Sequence, residues 1–240
     1  MIRRMNEHEV RKSEKGRRLP ARLILWGMGF LSFFRLPRRL IEEHLSHNRR
    51  VWESIPNKSF IEDQTRLTDF MYGRERKWLG KKLLGGRPLR AAENACEVIA
   101  VYNALLALGE KPDFPDLLGQ FERRGISLMG YFGTSFKGVW RFFAKSPYLL
   151  RVLRGGQITR EILENLQAEG YGVCVMMAEN KAGDLKEMVH TICITKKDAA
   201  TWTAHNDYEG SKTYEGLPEA VFGYHKGGGR PLGLLLLKAR

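Results

Sequence analysis

Cysteine is scarce in this 240-residue chain, with Cys96, Cys174 and Cys193 as the whole supply. An odd number without close-set pairs excludes a disulfide framework and a zinc knuckle, so neither a metal nor a cofactor is expected. The same scarcity fits a reducing, cytoplasmic compartment. Long apolar runs are also missing. The best candidate, Leu23 to Phe34 (LILWGMGFLSFF), stands behind a highly charged start and runs into Arg35 and Pro37 without a small-residue cleavage site. A bilayer span needs roughly 20 apolar residues, so this stretch reads as a buried or interfacial helix rather than a span or a secretory signal.

Acidic residues are in deficit, 27 Asp and Glu against 40 Lys and Arg, but only over part of the chain. Residues 1–50 carry 13 basic and 5 acidic residues, residues 51–90 carry 9 and 5, and the remainder carries 18 and 17. The excess therefore belongs to the N-terminal part, which is interpreted separately. Residues 1–18 are a charged start without apolar periodicity, 19–90 a basic helical region with a connector, and 91–240 a nearly neutral domain. Between Leu19 and Ile55 two helices are expected, the second carrying Leu36, Leu40, Ile41, Leu45 and Trp52 at near-helical spacing. Residues 19–52 could lie on an anionic membrane at the inner face, or form a layer packed on the following domain. The layer is preferred, with Leu23, Ile24, Leu25, Trp26, Phe30, Phe33 and Phe34 packed inward and the arginines solvated. A short helix is expected around Phe60 to Tyr72, then a loop-rich connector. The run RERKWLGKKLLGGR within it lacks phosphate-loop, zinc-finger and RNA-recognition signatures, so a nucleic-acid partner is not expected.

From Asn94 the pattern tightens. Ala95 to Leu108 (ACEVIAVYNALLAL) is apolar nearly all round and stops at Gly109, which predicts a buried helix with a glycine end. Further helices are expected at Pro115 to Arg123, Phe136 to Ala144 and Thr159 to Ala168. Strands are expected at Tyr171 to Met177, Val189 to Thr195, Thr201 to Asn206 and Gly233 to Lys238, with Lys197-Asp198 as a hairpin turn. Helices first and an antiparallel sheet afterwards define an α+β domain.

A thiol becomes a useful nucleophile as a thiolate, which a helix N-terminus and a neighbouring imidazole both favour. Cys96 opens the buried helix. His190 begins a β-branched strand, and the following strand ends at Ala204-His205-Asn206-Asp207. Antiparallel pairing would bring that end beside His190, so a side-chain oxygen of Asn206 or Asp207 is expected to orient the imidazole. Asn206 fits the inward phase of the strand, and His205 should then face the other way. His8, His44, His47 and His225 are read as solvated or peripheral, and Cys174 and Cys193 as core residues.

The segment NACEVIAVYNALLALG resembles the catalytic-helix motif of papain-like cysteine peptidases related to the double-glycine leader peptidases of bacteriocin export. The resemblance continues through Gly133-Thr134-Ser135, the GYGVCVMM strand, His190 with its apolar strand, and Asn206-Asp207-Tyr208. It covers about Ala91 to Arg240. It implies a papain-like fold and a cysteine peptidase acting on a peptide or protein substrate, with amidase or transglutaminase-like acyl transfer on the same residues. Three departures stand out. Arg90 occupies the place of the oxyanion-binding glutamine, where Asn94 or, less well, Glu93 could substitute, because only the amide can donate a hydrogen bond. Thr191 follows His190 where the family has Ala or Phe. Tyr208 replaces a proline, so the third member stays open between Asn206 and Asp207. A catalytically silent binding or regulatory protein on the same fold is the alternative.

Overall fold

The computed structural model describes residues 21–31, 35–74, 88–130, 133–181, 189–207, 210–224 and 228–240. The described helices are α1 (Ala21–Leu31), α2 (Arg38–Glu53), α3 (Ala91–Asn94), α4 (Cys96–Ala107), α5 (Phe114–Arg124), α6 (Phe136–Phe143), α7 (Arg160–Ala168) and α8 (Leu217–Phe222). The strands are β1 (Met71–Arg74), β2 (Pro88–Arg90), β3 (Leu149–Arg154), β4 (Val173–Lys181), β5 (Val189–Lys196), β6 (Thr201–His205), β7 (Lys212–Glu215) and β8 (Gly228–Lys238). Strands β1 and β2 pair alone, and the others form one antiparallel sheet in the order β3-β8-β4-β5-β6-β7. The class is α+β, with the sheet strands falling after the main helices.

The sheet is covered on both faces. Along β4, Val173, Val175 and Met177 join the core that holds α1, α2, α4, α5 and α6, while Cys174, Met176 and Ala178 join a second core with α7 and α8. Strand β8 divides Leu235 and Leu237 from Leu234 and Leu236 in the same way. Side chains alternate across a strand, so a strand buried on both faces must be apolar at every position, which accounts for the VCVMMA and LLLL runs. Cys174 and Cys193 are fully buried in these strands, and burial pushes both thiols up.

Helix α4 is the central helix. Val98 to Ala104 are all buried, and the chain leaves through Gly109 at φ 85°, with the Glu110 N–H on the Leu105 carbonyl at 3.0 Å. A left-handed residue here returns the last carbonyls to backbone donors, the usual use of glycine at a helix end. Asp113, Ser135 and Thr159 cap α5, α6 and α7 through their side-chain oxygens. The β5–β6 turn forms at Lys197 and Asp198, whose carboxylate accepts the Ala200 and Thr201 N–H groups at 2.9 and 2.8 Å.

The basic N-terminal region has no core of its own. Ile41, Trp52, Leu67, Phe70 and Tyr72 belong to the same cluster as α4 and α5, and Trp52 meets Tyr102 and Phe114 at ring distances of 5.7 Å. Helix α1 is split, with Ile24, Leu25 and Met28 buried but Leu23, Trp26 and Phe30 exposed. The inward packing expected of the whole apolar stretch therefore holds for one face only; Phe33 and Phe34, like His8, the run from residue 75 to 87 and Tyr208, lie outside the described residues.

The expected helix over Phe60 to Tyr72 is replaced by an extended strap, a single 3-10 turn at Gln64–Arg66 and strand β1. Two local bonds account for this. Asp63 accepts the Thr65 N–H at 2.9 Å, an Asx-type turn that competes with helix formation. Asn103 of α4 accepts the Ile61 N–H and donates to the Ile61 carbonyl, both at 2.9 Å, and so holds the strap extended. Strands β3 and β7 and helix α8 add to the expected elements.

Candidate active site

Cys96 is the first residue of α4 and is buried. The backbone N–H groups of Thr191 and Glu97 and the Glu97 carboxyl are the polar groups that act on its thiol. Helix α4 packs on strand β5, which carries His190 and Thr191. Burial pushes the Cys96 thiol well above its ordinary range, and the adjacent Glu97 carboxylate adds to that; the two N–H groups act in the opposite direction. Glu97 is itself pushed up to about 7 by burial, held back by the Thr134 N–H at 3.1 Å. Thr134 also bonds the buried Tyr72 hydroxyl, so a polar chain runs from Tyr72 through Thr134 to Glu97, the residue after Cys96.

Gly133, beside this chain, has φ 61°, and a Cβ there would lie 2.7 Å from Glu97 Oε2 and 2.8 Å from the Asn94 carbonyl. Any side chain would displace Glu97 or the turn before Cys96. The Gly-Thr-Ser element thus builds the floor under Glu97, the residue after Cys96.

His190 is buried, and its Nε2 lies 2.7 Å from the backbone carbonyl oxygen of Asn206. A carbonyl only accepts, so Nε2 carries the proton and in the neutral ring the lone pair is on Nδ1. Alternation along β5 puts His190 on the face of Ile192 and Ile194, where its ring lies 6.4 Å from that of Tyr224 at 24°. Val189 and Cys193 face the core that holds α4, so the His190 side chain, expected beside the Cys96 sulfur, lies on the other face of β5.

Orientation of the imidazole was expected from a side chain of Asn206 or Asp207, and it comes instead from the Asn206 main chain. Asn206 sits just past β6 at φ 63°, a left-handed conformation that Asn tolerates better than most residues and that turns its carbonyl toward His190. Its side chain is engaged elsewhere: Oδ1 accepts the Gln64 N–H at 2.9 Å and Nδ2 donates to Gln64 Oε1 at 3.3 Å. The Asp207 carboxylate lies 3.4 Å from Lys212 Nζ.

Asn94 does not supply a free oxyanion donor. Its Nδ2 donates to the Tyr72 carbonyl at 3.0 Å and to the Gly130 carbonyl at 2.5 Å, which uses both amide hydrogens. It acts as a bolt between β1 and the 3-10 turn at Leu128–Gly130, where Gly73 and Gly130 approach so closely that a Cβ on either would be within 3.0 Å of the other's backbone. Glu93 caps α3 by accepting the Arg90 N–H at 2.8 Å.

Residue types alone did not reveal three parts of this site. Gln64 reaches it from the strap, donating through Nε2 to the Ala92 carbonyl at 3.1 Å as well as holding Asn206. Glu97 was visible as part of the Cys-Glu pair, but not as a buried partner of the thiol. His44, expected to be solvated, is buried with its Nδ1 2.7 Å from Glu122 Oε1, which also accepts the Gly73 N–H at 2.8 Å. His47 reaches the Asp69 carbonyl at 2.8 Å. His205 is buried between Thr195 and Glu62, each at 2.8 Å, and stacks on Phe60.

A buried thiol at the start of α4 thus stands on one face of β5 and His190, bonded to the Asn206 carbonyl, on the other. Protein-family models and curated proteins offer no match to the chain.

Proposed function

We propose that the chain is a papain-like cysteine hydrolase in which Cys96 attacks an amide carbonyl and His190 moves the proton. The single observation that supports this reading is the bond from His190 Nε2 to the Asn206 carbonyl, on the strand against which the Cys96 helix packs. That bond leaves Nδ1 as the basic nitrogen. The thiol proton passes to Nδ1 as sulfur forms its bond to the carbonyl carbon, and the same proton then goes to the leaving amine as the C–N bond breaks. Water releases the thioester, and an amine in its place would give transamidation. The thiol is protonated at rest and His190 lies on the other face of β5, so the transfer requires substrate binding to bring the two groups together. The substrate class is a peptide or protein amide.

Limiting iodoacetamide tests this reading. Cys96 should be modified well ahead of Cys174 and Cys193, and His190→Ala should slow that reaction at least about tenfold. Equal labelling of all three thiols, or an unchanged rate in the variant, would remove the enzyme reading. A second reading, a catalytically silent binding protein on this fold, is favoured by the amide of Asn94 being spent on backbone carbonyls and by the high thiol pKa. It predicts that no amide in a peptide library is cleaved even where Cys96 can be alkylated.

A further inference from the structure

Helix α1 buries Ile24, Leu25 and Met28 and leaves Leu23, Trp26 and Phe30 exposed at 54, 68 and 63 %. Spacings of three and four residues line these side chains along one stripe. Trp26 and Phe30 stack on each other at 5.7 Å rather than on the protein body. Of the exposed large apolar side chains among the described residues, only Leu149 lies elsewhere. The patch is therefore concentrated, not scattered, and concentration is what marks an interaction surface.

Beside the stripe runs a cationic ridge. Lys137 and Arg141 on α6 and Lys145 just beyond it recur every four residues, so they share a face, and all three are exposed. Lys137 lies against α1, where a Cβ on Gly29 would be 3.7 Å from its side chain. Among the described residues no acidic side chain pairs with Arg22, Lys137, Arg141 or Lys145. The groove between the two helices has a volume of about 1870 Å³, and its two carboxylates are occupied, Glu110 by the Tyr148 hydroxyl and Glu122 by His44.

We infer that this face, the stripe of α1 flanked by the ridge of α6, docks on an anionic phospholipid bilayer. The two components match the two parts of such a surface: aromatic side chains partition at headgroup depth, and unpaired cations meet lipid phosphates. Leu23, an aliphatic residue in the stripe, has no use in stacking on nucleic-acid bases. A second copy of the chain would bring one cationic ridge against another. The chain's own residues 1–20, with 7 basic and 3 acidic residues, are repelled from the ridge in the same way. No described helix is long and apolar enough to cross a membrane, so the contact is one of lying on the surface. The inference is independent of the hydrolase reading.

Sedimentation of the full chain with vesicles of phosphatidylglycerol and phosphatidylcholine, against phosphatidylcholine alone, tests it. Binding is expected to the anionic vesicles only and to fall steeply as salt rises. Trp26→Ser with Phe30→Ser, and separately Lys137→Glu with Arg141→Glu and Lys145→Glu, should each lower partition at least about tenfold, at roughly 1 kcal/mol for each charge near the surface. All of these side chains are exposed, so both variants should keep the wild-type circular dichroism. Equal binding to neutral vesicles, or undiminished binding in either variant, overturns the inference by moving the contact to another part of the chain. Absence of vesicle binding together with salt-sensitive binding to DNA or polyglutamate overturns it in favour of a soluble polyanion.

Discussion

Gln64 and Asn206 are joined by two hydrogen bonds across 142 positions of sequence, the Gln64 N–H to Asn206 Oδ1 and the Asn206 amide to Gln64 Oε1. The pair clamps Asn206 in its left-handed conformation, and that conformation presents the carbonyl to His190. Gln64 is thus a positioning residue, acting on the imidazole through another residue's main chain.

Substitution at Asn206 separates a main-chain role from a side-chain role. Glycine adopts positive φ freely and keeps the carbonyl, so Asn206→Gly should retain Cys96 alkylation within about tenfold of wild type. Valine is strongly disfavoured at positive φ, and Asn206→Val should lose most of it. Equal loss in both would show that the Asn206 amide itself is needed.

Gln64→Ala should slow alkylation of Cys96 and lower stability by about 1 kcal/mol, the common worth of a buried hydrogen bond. A pH–rate profile that overlays the wild type would leave Gln64 a structural residue only.

Glu97 has consequences for both reactivity and stability. Its carboxylate raises the Cys96 pKa, so Glu97→Gln should speed alkylation at pH 7.5–8. The folded-state pKa of Glu97 is raised, from 4.5 to about 7, so the protonated form is the one favoured by folding. Its contribution is full below about pH 4.5 and is lost as pH rises through about 7. Urea unfolding should therefore show Glu97→Gln gaining on wild type by up to about 3 kcal/mol between pH 5 and pH 8, on the order of the linked shift. A constant difference between the two proteins across that range would contradict the assignment.

Removal of the N-terminal helices should not leave an autonomous domain. Ile24, Leu25, Ile41 and Trp52 share one core with α4 and α5, so a chain beginning at Asn57 should aggregate or unfold. The milder change Trp52→Ala should cost about 3 to 5 kcal/mol, measured by denaturant unfolding of the full chain. A soluble, fully reactive protein from Asn57 would show that α1 and α2 are accessory.

Much of the framework could be read from local patterns. The all-round apolar run after Cys96, its stop at Gly109, the helix opening at Thr159 and the apolar strands each follow from short-range sequence patterns. Helix and strand periods of 3.6 and 2 are properties of the backbone, so they survive without knowledge of any distant partner. The position of Cys96 at a helix start and of His190 at a strand start were legible for the same reason.

The amide and carboxylate contacts were decided by tertiary structure. Nothing in the vicinity of Asn94 announces that its two amide hydrogens go to Tyr72 and Gly130, and Gln64 lies in a segment that reads as a short helix. His44 looks like a surface residue on a basic helix until α5 supplies Glu122 against it. Polar side chains take whichever partner the packed fold brings within about 3 Å, and burial makes an unmade bond costly, so their roles depend on residues tens of positions away. The sequence alone determined which residue types stand at the ends of which elements. The fold determined which of their atoms are occupied, and so left the Asn206 carbonyl, rather than its side chain, as the group that holds His190.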